Sequence, residues 1–100
     1  MISLFLLLIV NKTYYLPENY KPTDSYSSLS DNCVTCLNKN VMSAYNEMKA
    51  ETTSLGLNIW LASGYRSYNT QNYLYNNYVA RDGKVAADTY SARPGHSEHQ

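Results

Sequence analysis

The segment "RPGHSEHQ", residues 93–100, holds two histidines three positions apart. Imidazole is the commonest protein ligand for a metal, so His96 and His99 are the first candidates for chemistry. In an extended stretch an odd separation sends side chains to opposite faces, so spacing gives at most one of them to a given ion. A second candidate is Cys33-Val34-Thr35-Cys36, which has the spacing of half a zinc knuckle or of a redox pair. Joined to the histidines it makes a formal two-Cys, two-His set, and structural zinc takes four such ligands. The long gap between the pairs departs from small zinc fingers, and the Ser- and Asp-rich stretch before Cys33 departs from the usual entry into a redox motif. Two residues at a helix start packed under a loop, or a local disulfide, fit the same spacing.

A third candidate lies in "SGYRSYNTQ", residues 63–71. A guanidinium at Arg66, between a predicted strand and a predicted helix, can clamp a carboxylate or steady a developing oxyanion. Gln71, in the first turn of that helix, can aim an amide at the same space. A surface arginine capping a strand end is the plainer alternative.

The elements that must position these residues follow from periodicity. A helix is expected over about 38–55, with Val41, Tyr45, Met48 and Leu55 on one apolar stripe and Gly56 as its stop. "LNIWLAS", residues 57–63, alternates Leu57, Ile59 and Leu61 with Asn58, Trp60 and Ala62, the pattern of a strand. Ser67 is the expected N-cap of a second helix running to about Asp82, with Leu74, Tyr75, Tyr78 and Val79 inward and Gly83 as its stop. A short helical turn is expected over 85–90, and Pro94-Gly95 opens the last turn. Residues 11–32 show neither period and read as a long surface loop. The opening run "MISLFLLLIV" is too short to span a bilayer as a helix, and it lacks the charged start and cleavage site of a secretory signal. It reads as a buried strand, Leu4–Val10, or as part of a signal or anchor.

One hundred residues make one domain, and a formal net charge of zero gives no electrostatic footprint for nucleic acid. Eleven Tyr against one Phe and one Trp suit a wet, half-open groove, or reflect a biased genome.

Taken in order, "VNKTYYLPENYKP", "SGYRSYNTQNYLY" and "YSARPGHSEHQ" resemble the VanY-type D-alanyl-D-alanine carboxypeptidases, zinc peptidases of the LAS group. The likeness runs over essentially the whole chain. It implies an α+β fold, the N-terminal part of a Hedgehog/DD-peptidase-like domain with helices packed on an incomplete, mainly antiparallel sheet. It favours the strand reading of Leu4–Val10. It also implies site roles. Ser97-Glu98-His99 matches the family's Ser-x-His, which makes His99 a zinc ligand, and His96 falls where the family accepts other residues. Arg66 matches the arginine that binds substrate and steadies the oxyanion, Gln71 a residue of the substrate pocket, and Ser97 a serine beside the substrate's terminal carboxylate. Arg93 and Glu98 read as structural.

The implied activity is zinc-dependent removal of the C-terminal D-alanine from peptidoglycan stem peptides ending in D-Ala-D-Ala. The implied place of work is outside the cytoplasmic membrane, with anchoring of the full protein possible. The family's further Asp and His ligands and its catalytic Glu have no match in this sequence, so residues 1–100 are expected to be a single, C-terminally truncated domain, inactive alone. Two alternatives stay open: an L,D-carboxypeptidase or endopeptidase of the same group, and a non-catalytic wall-binding module using Arg66 and the Tyr-rich loop.

Overall fold

The computed structural model describes residues 8–100, which form three helices and no strand. Helix α1 spans Lys39–Ser54, α2 spans Tyr68–Asp82 and α3 spans Lys84–Tyr90. These residues group into two compact units, one holding 22–66 and the other the chain up to Lys21 together with 67–100.

In the first unit, α1 starts where its sequence supplies a cap. The Asn38 side chain accepts from the backbone N–H groups of Asn40 (2.9 Å) and Val41 (3.4 Å), two donors the first turn cannot satisfy itself. The helix stops at Gly56, whose φ of 75° suits glycine. There the Gly56 N–H donates to Thr53 (3.0 Å) and the Leu57 N–H to Thr52 (2.8 Å), a Schellman closure of the last carbonyls. Of the expected apolar stripe only Tyr45 turns inward. Val41, Met48 and Leu55 are exposed, and Met42 is the buried residue. The inward face is thus Met42, Tyr45 and Thr52, turned by one residue from the apolar one, because tertiary packing rather than the local pattern decides which face of a helix is covered.

Residues 57–63 keep the alternation of a strand without becoming one. Ile59 and Leu61 are half-buried while Leu57, Asn58, Trp60 and Ala62 are exposed. A strand is a ladder shared with a partner, and among the described residues only two isolated bridges form, Ser25 with Asn38 and Cys33 with Tyr65. The expected sheet is therefore not formed among these residues. The Leu4–Val10 strand falls mostly outside them, and Leu8–Val10 carries no strand.

In the second unit, the Ser67 hydroxyl accepts from the Thr70 N–H at 3.1 Å and starts α2. Gly83, with φ 86°, ends α2 and begins α3. Ala87 of α3 is fully buried, and the two helices meet through Tyr78 and Tyr90, edge-on at 5.2 Å between ring centres. Arg81 lies over the Tyr78 ring and pairs with Asp82 at 2.8 Å. The inward residues of α2 are the expected Tyr75, Leu74, Tyr78 and Val79, joined one turn earlier by Gln71. No helix among the described residues is long and apolar enough to cross a membrane.

Candidate active site

The segment 93–100 folds as two successive turns held by polar groups from both ends of its unit. The His96 N–H donates to Arg93 (2.9 Å) and the Gln100 N–H to Ser97 (3.2 Å). Gly95, at φ 80°, makes the first turn possible, and its carbonyl accepts the Leu16 N–H at 2.7 Å. The Gln100 amide donates to the carbonyls of Pro17 (3.0 Å) and Tyr20 (3.4 Å). His96 Nδ1 meets the Asn11 carbonyl at 2.7 Å, and the ring lies 5.5 Å from that of Tyr15. A backbone carbonyl only accepts, so this nitrogen carries the proton. His96 thus ties the loop after residue 10 to the motif.

Ser97 is buried, 5% exposed, and its hydroxyl accepts the His99 N–H at 3.1 Å. That bond fixes the backbone at His99, an exposed residue. Gln71 is also buried, 3% exposed. Its amide donates to the Ala92 carbonyl at 2.7 Å and more loosely to the Ser91 hydroxyl at 3.4 Å, straps on the stretch leading into the motif. Gln71, Ser97 and His99 therefore share one unit. Arg66, half-buried, is the last residue of the other.

Asp88 is a support that spacing did not reveal. Its carboxylate accepts two bonds from Arg93 (3.1 and 2.8 Å) and one from the Tyr75 hydroxyl (2.8 Å), while its backbone carbonyl accepts from Lys12 (2.8 Å). Arg93, then Tyr75, hold the Asp88 carboxyl well below the usual carboxylate range. Burial, and then the bond to Asp88, push the Tyr75 phenol up. A depressed carboxyl contributes stability that is present above its unfolded pKa and lost as pH falls through the folded value. Thermal unfolding of the full-length protein is expected to show a midpoint lower at about pH 3 than at neutral pH, and Asp88→Asn is expected to shrink that difference. An unchanged difference would show that the pair does not brace the motif.

The cysteines are joined to each other as a disulfide, so they offer no thiolate and do not form a zinc set with the histidines. Among the described residues no group of three or more His, Cys, Asp and Glu side chains is placed to hold a metal ion. A catalytic zinc takes three protein ligands and an open position. These residues alone therefore do not fit such a centre, and no reaction step through a metal is derived from them.

The family model for VanY, D-alanyl-D-alanine carboxypeptidase, matches residues 34–100. YodJ of Bacillus subtilis, named as a carboxypeptidase, is 34% identical over 101 residues, 95% of this chain and 37% of its own length. The LD-carboxypeptidase LdcB, whose structure concerns peptidoglycan recognition, is 34% identical with a TM-score of 0.77 over 91% of this chain and 45% of that one. A vancomycin-resistance D,D-pentapeptidase, VanY of a VanB-type cassette, in complex with Zn(II), is 25% identical with a TM-score of 0.71 over 94% of this chain and 56% of that one. The chain thus spans between about a third and just over half the length of these relatives.

Proposed function

Because the chain belongs to the VanY family of D-alanyl-D-alanine carboxypeptidases, we propose that the full-length protein trims the C-terminal D-alanine from peptidoglycan stem peptides. The observation that carries this reading is the single match over 34–100, which takes in both "SGYRSYNTQ" and "GHSEHQ". Arg66 is the residue that stabilises the oxyanion on the attacked carbonyl. Gln71 serves the substrate pocket by holding the 91–92 stretch in place, and Ser97 lies beside the terminal carboxylate. His99 is one ligand of a zinc ion, the metal bound in the VanY relative. The remaining ligands and the base that removes the water's proton are not among residues 1–100, so this chain is one part of a single α+β peptidase domain whose antiparallel sheet needs further strands. By itself it is inactive.

Work outside the cytoplasmic membrane fits this substrate, and so does the Cys33–Cys36 disulfide, since such bonds persist in oxidising compartments. Membrane anchoring of the full protein is compatible with that location.

A second reading has an observation behind it. The L,D-carboxypeptidase LdcB is 34% identical, against 25% for the D,D-enzyme VanY. The two readings differ in the bond cut, after a D-residue or after an L-residue. Zinc-loaded full-length protein, given stem pentapeptide and stem tetrapeptide in parallel, is expected to release D-alanine from one of them. Release from the pentapeptide assigns D,D-specificity and release from the tetrapeptide assigns L,D-specificity. Release from neither removes the carboxypeptidase reading and leaves an endopeptidase or a wall-binding module.

A further inference from the structure

Arg66 has a mechanical support in its own unit. The segment that presents it, Gly64-Tyr65-Arg66, lies against the Cys33–Cys36 turn. The Tyr65 N–H donates to the Cys36 carbonyl at 3.1 Å, and Tyr65 pairs with Cys33 as an isolated antiparallel bridge. The turn is closed twice, by the disulfide and by the Cys36 N–H to the Cys33 carbonyl at 3.2 Å. Gly64 is the point of closest approach. A Cβ there would sit 2.5 Å from the Cys33 carbonyl oxygen, 2.7 Å from that of Val34 and 3.1 Å from that of Cys36. These are backbone atoms of one short cross-linked turn, so no side-chain rotation relieves the clash. The Tyr65 side chain is held as well: it is buried, and burial, then the charge of Asp31, push its phenol up.

We propose that the disulfide-closed Cys33–Cys36 turn and Gly64 are positioning elements for Arg66: the turn fixes the backbone on either side of Tyr65, and so fixes where the guanidinium meets the developing oxyanion. This rests on the oxyanion role proposed for Arg66. Breaking the disulfide frees the Cys36 carbonyl to move, and the bond that holds Tyr65 loosens. A misplaced transition-state donor lowers turnover more than it weakens substrate binding. Gly64→Ala acts on the same contact from the other side.

The test uses the full-length protein, oxidised and then reduced by a dithiol. The reagent's two sulfurs become a disulfide as the Cys33–Cys36 bond breaks, and both cysteines emerge as thiols. Two readouts are taken: amide hydrogen exchange at Tyr65, and kcat and KM for D-alanine release. Reduction is expected to speed Tyr65 exchange and lower kcat, each by about tenfold or more, with KM little changed. Cys33→Ser/Cys36→Ser should reproduce both effects, which keeps the test usable if Gly64→Ala does not fold. In an Arg66→Ala background reduction should lower kcat no further, since residues acting through one another are not additive. Unchanged exchange at Tyr65, or an equal loss of kcat in the Arg66→Ala background, would overturn the proposal. A wild-type protein that releases no D-alanine would instead overturn the reaction, and with it the catalytic consequence of the brace, while exchange at Tyr65 still decides whether the disulfide holds the segment.

Discussion

Arg66→Ala in the full-length protein is expected to lower kcat for D-alanine release by about 10²–10³-fold, the usual loss when one preorganised oxyanion donor is removed. Charge grows on the carbonyl oxygen only as the bond is attacked, so the interaction is worth most in the transition state and the loss falls on kcat. A cation fixed before the reaction needs no reorganisation when that charge appears, and the backbone of Arg66 is fixed by its neighbours. Tyr65 is bonded to Cys36, and Ser67 caps α2 through the Thr70 N–H. Arg66→Lys keeps the charge but loses the planar fork of donors, so it should restore only part of the rate. Arg66 is half-buried rather than buried, so the thermal midpoint should move little. A change in kcat of less than about threefold, or a loss confined to KM, would remove Arg66 from the transition state.

The second large effect concerns the metal. His99→Ala in the full-length protein is expected to lower zinc affinity by more than about 100-fold, beyond what the loss of a merely supporting residue costs. His96→Ala should leave it nearly unchanged, because His96 is engaged with Asn11 and Tyr15 and ties down the loop. The contrast separates two histidines that spacing alone treats as a pair. The 100-residue chain alone should show no sub-micromolar zinc binding, since one ligand does not make a site. Zinc titration followed by calorimetry reads all three proteins. Equal losses for the two histidine variants would mean that His99 is not the motif's metal ligand in preference to His96.

The helices were legible because their ends are written in local chemistry. Asn38 and Ser67 cap, Gly56 and Gly83 stop, and each signal acts within one turn of chain. The inward face of α1 was not legible, because what covers a helix is decided by distant residues. Val41, Met48 and Leu55 share a stripe, yet they are exposed and Met42 is buried instead. The strand at 57–63 shows the same limit. Alternation sets which residues turn inward, and Ile59 and Leu61 obey it, but a ladder needs a partner that no local pattern supplies.

At the site, the residue types and their order carried the reading, and the supports did not. Asp88 and Arg93 are five positions apart across the end of α3, outside the spacing at which helical pairs are recognised, and Tyr75 reaches them from another helix. Gln71, read from the sequence as a residue of the substrate pocket, is buried, and its amide bonds to Ser91 and Ala92 are not legible from local spacing. The cysteines offered several readings, and only their placement against Gly64 and Tyr65 gives the pair a mechanical role.

The most direct measurement is D-alanine release from stem peptides by zinc-loaded full-length protein, run beside the 100-residue chain under the same conditions. Zinc-dependent release by the full-length protein, abolished by a chelator and absent from the 100-residue chain, is the expected result. No release from either pentapeptide or tetrapeptide would contradict the assignment of a zinc carboxypeptidase, and equal release by the 100-residue chain would contradict the expectation that residues 1–100 are inactive alone.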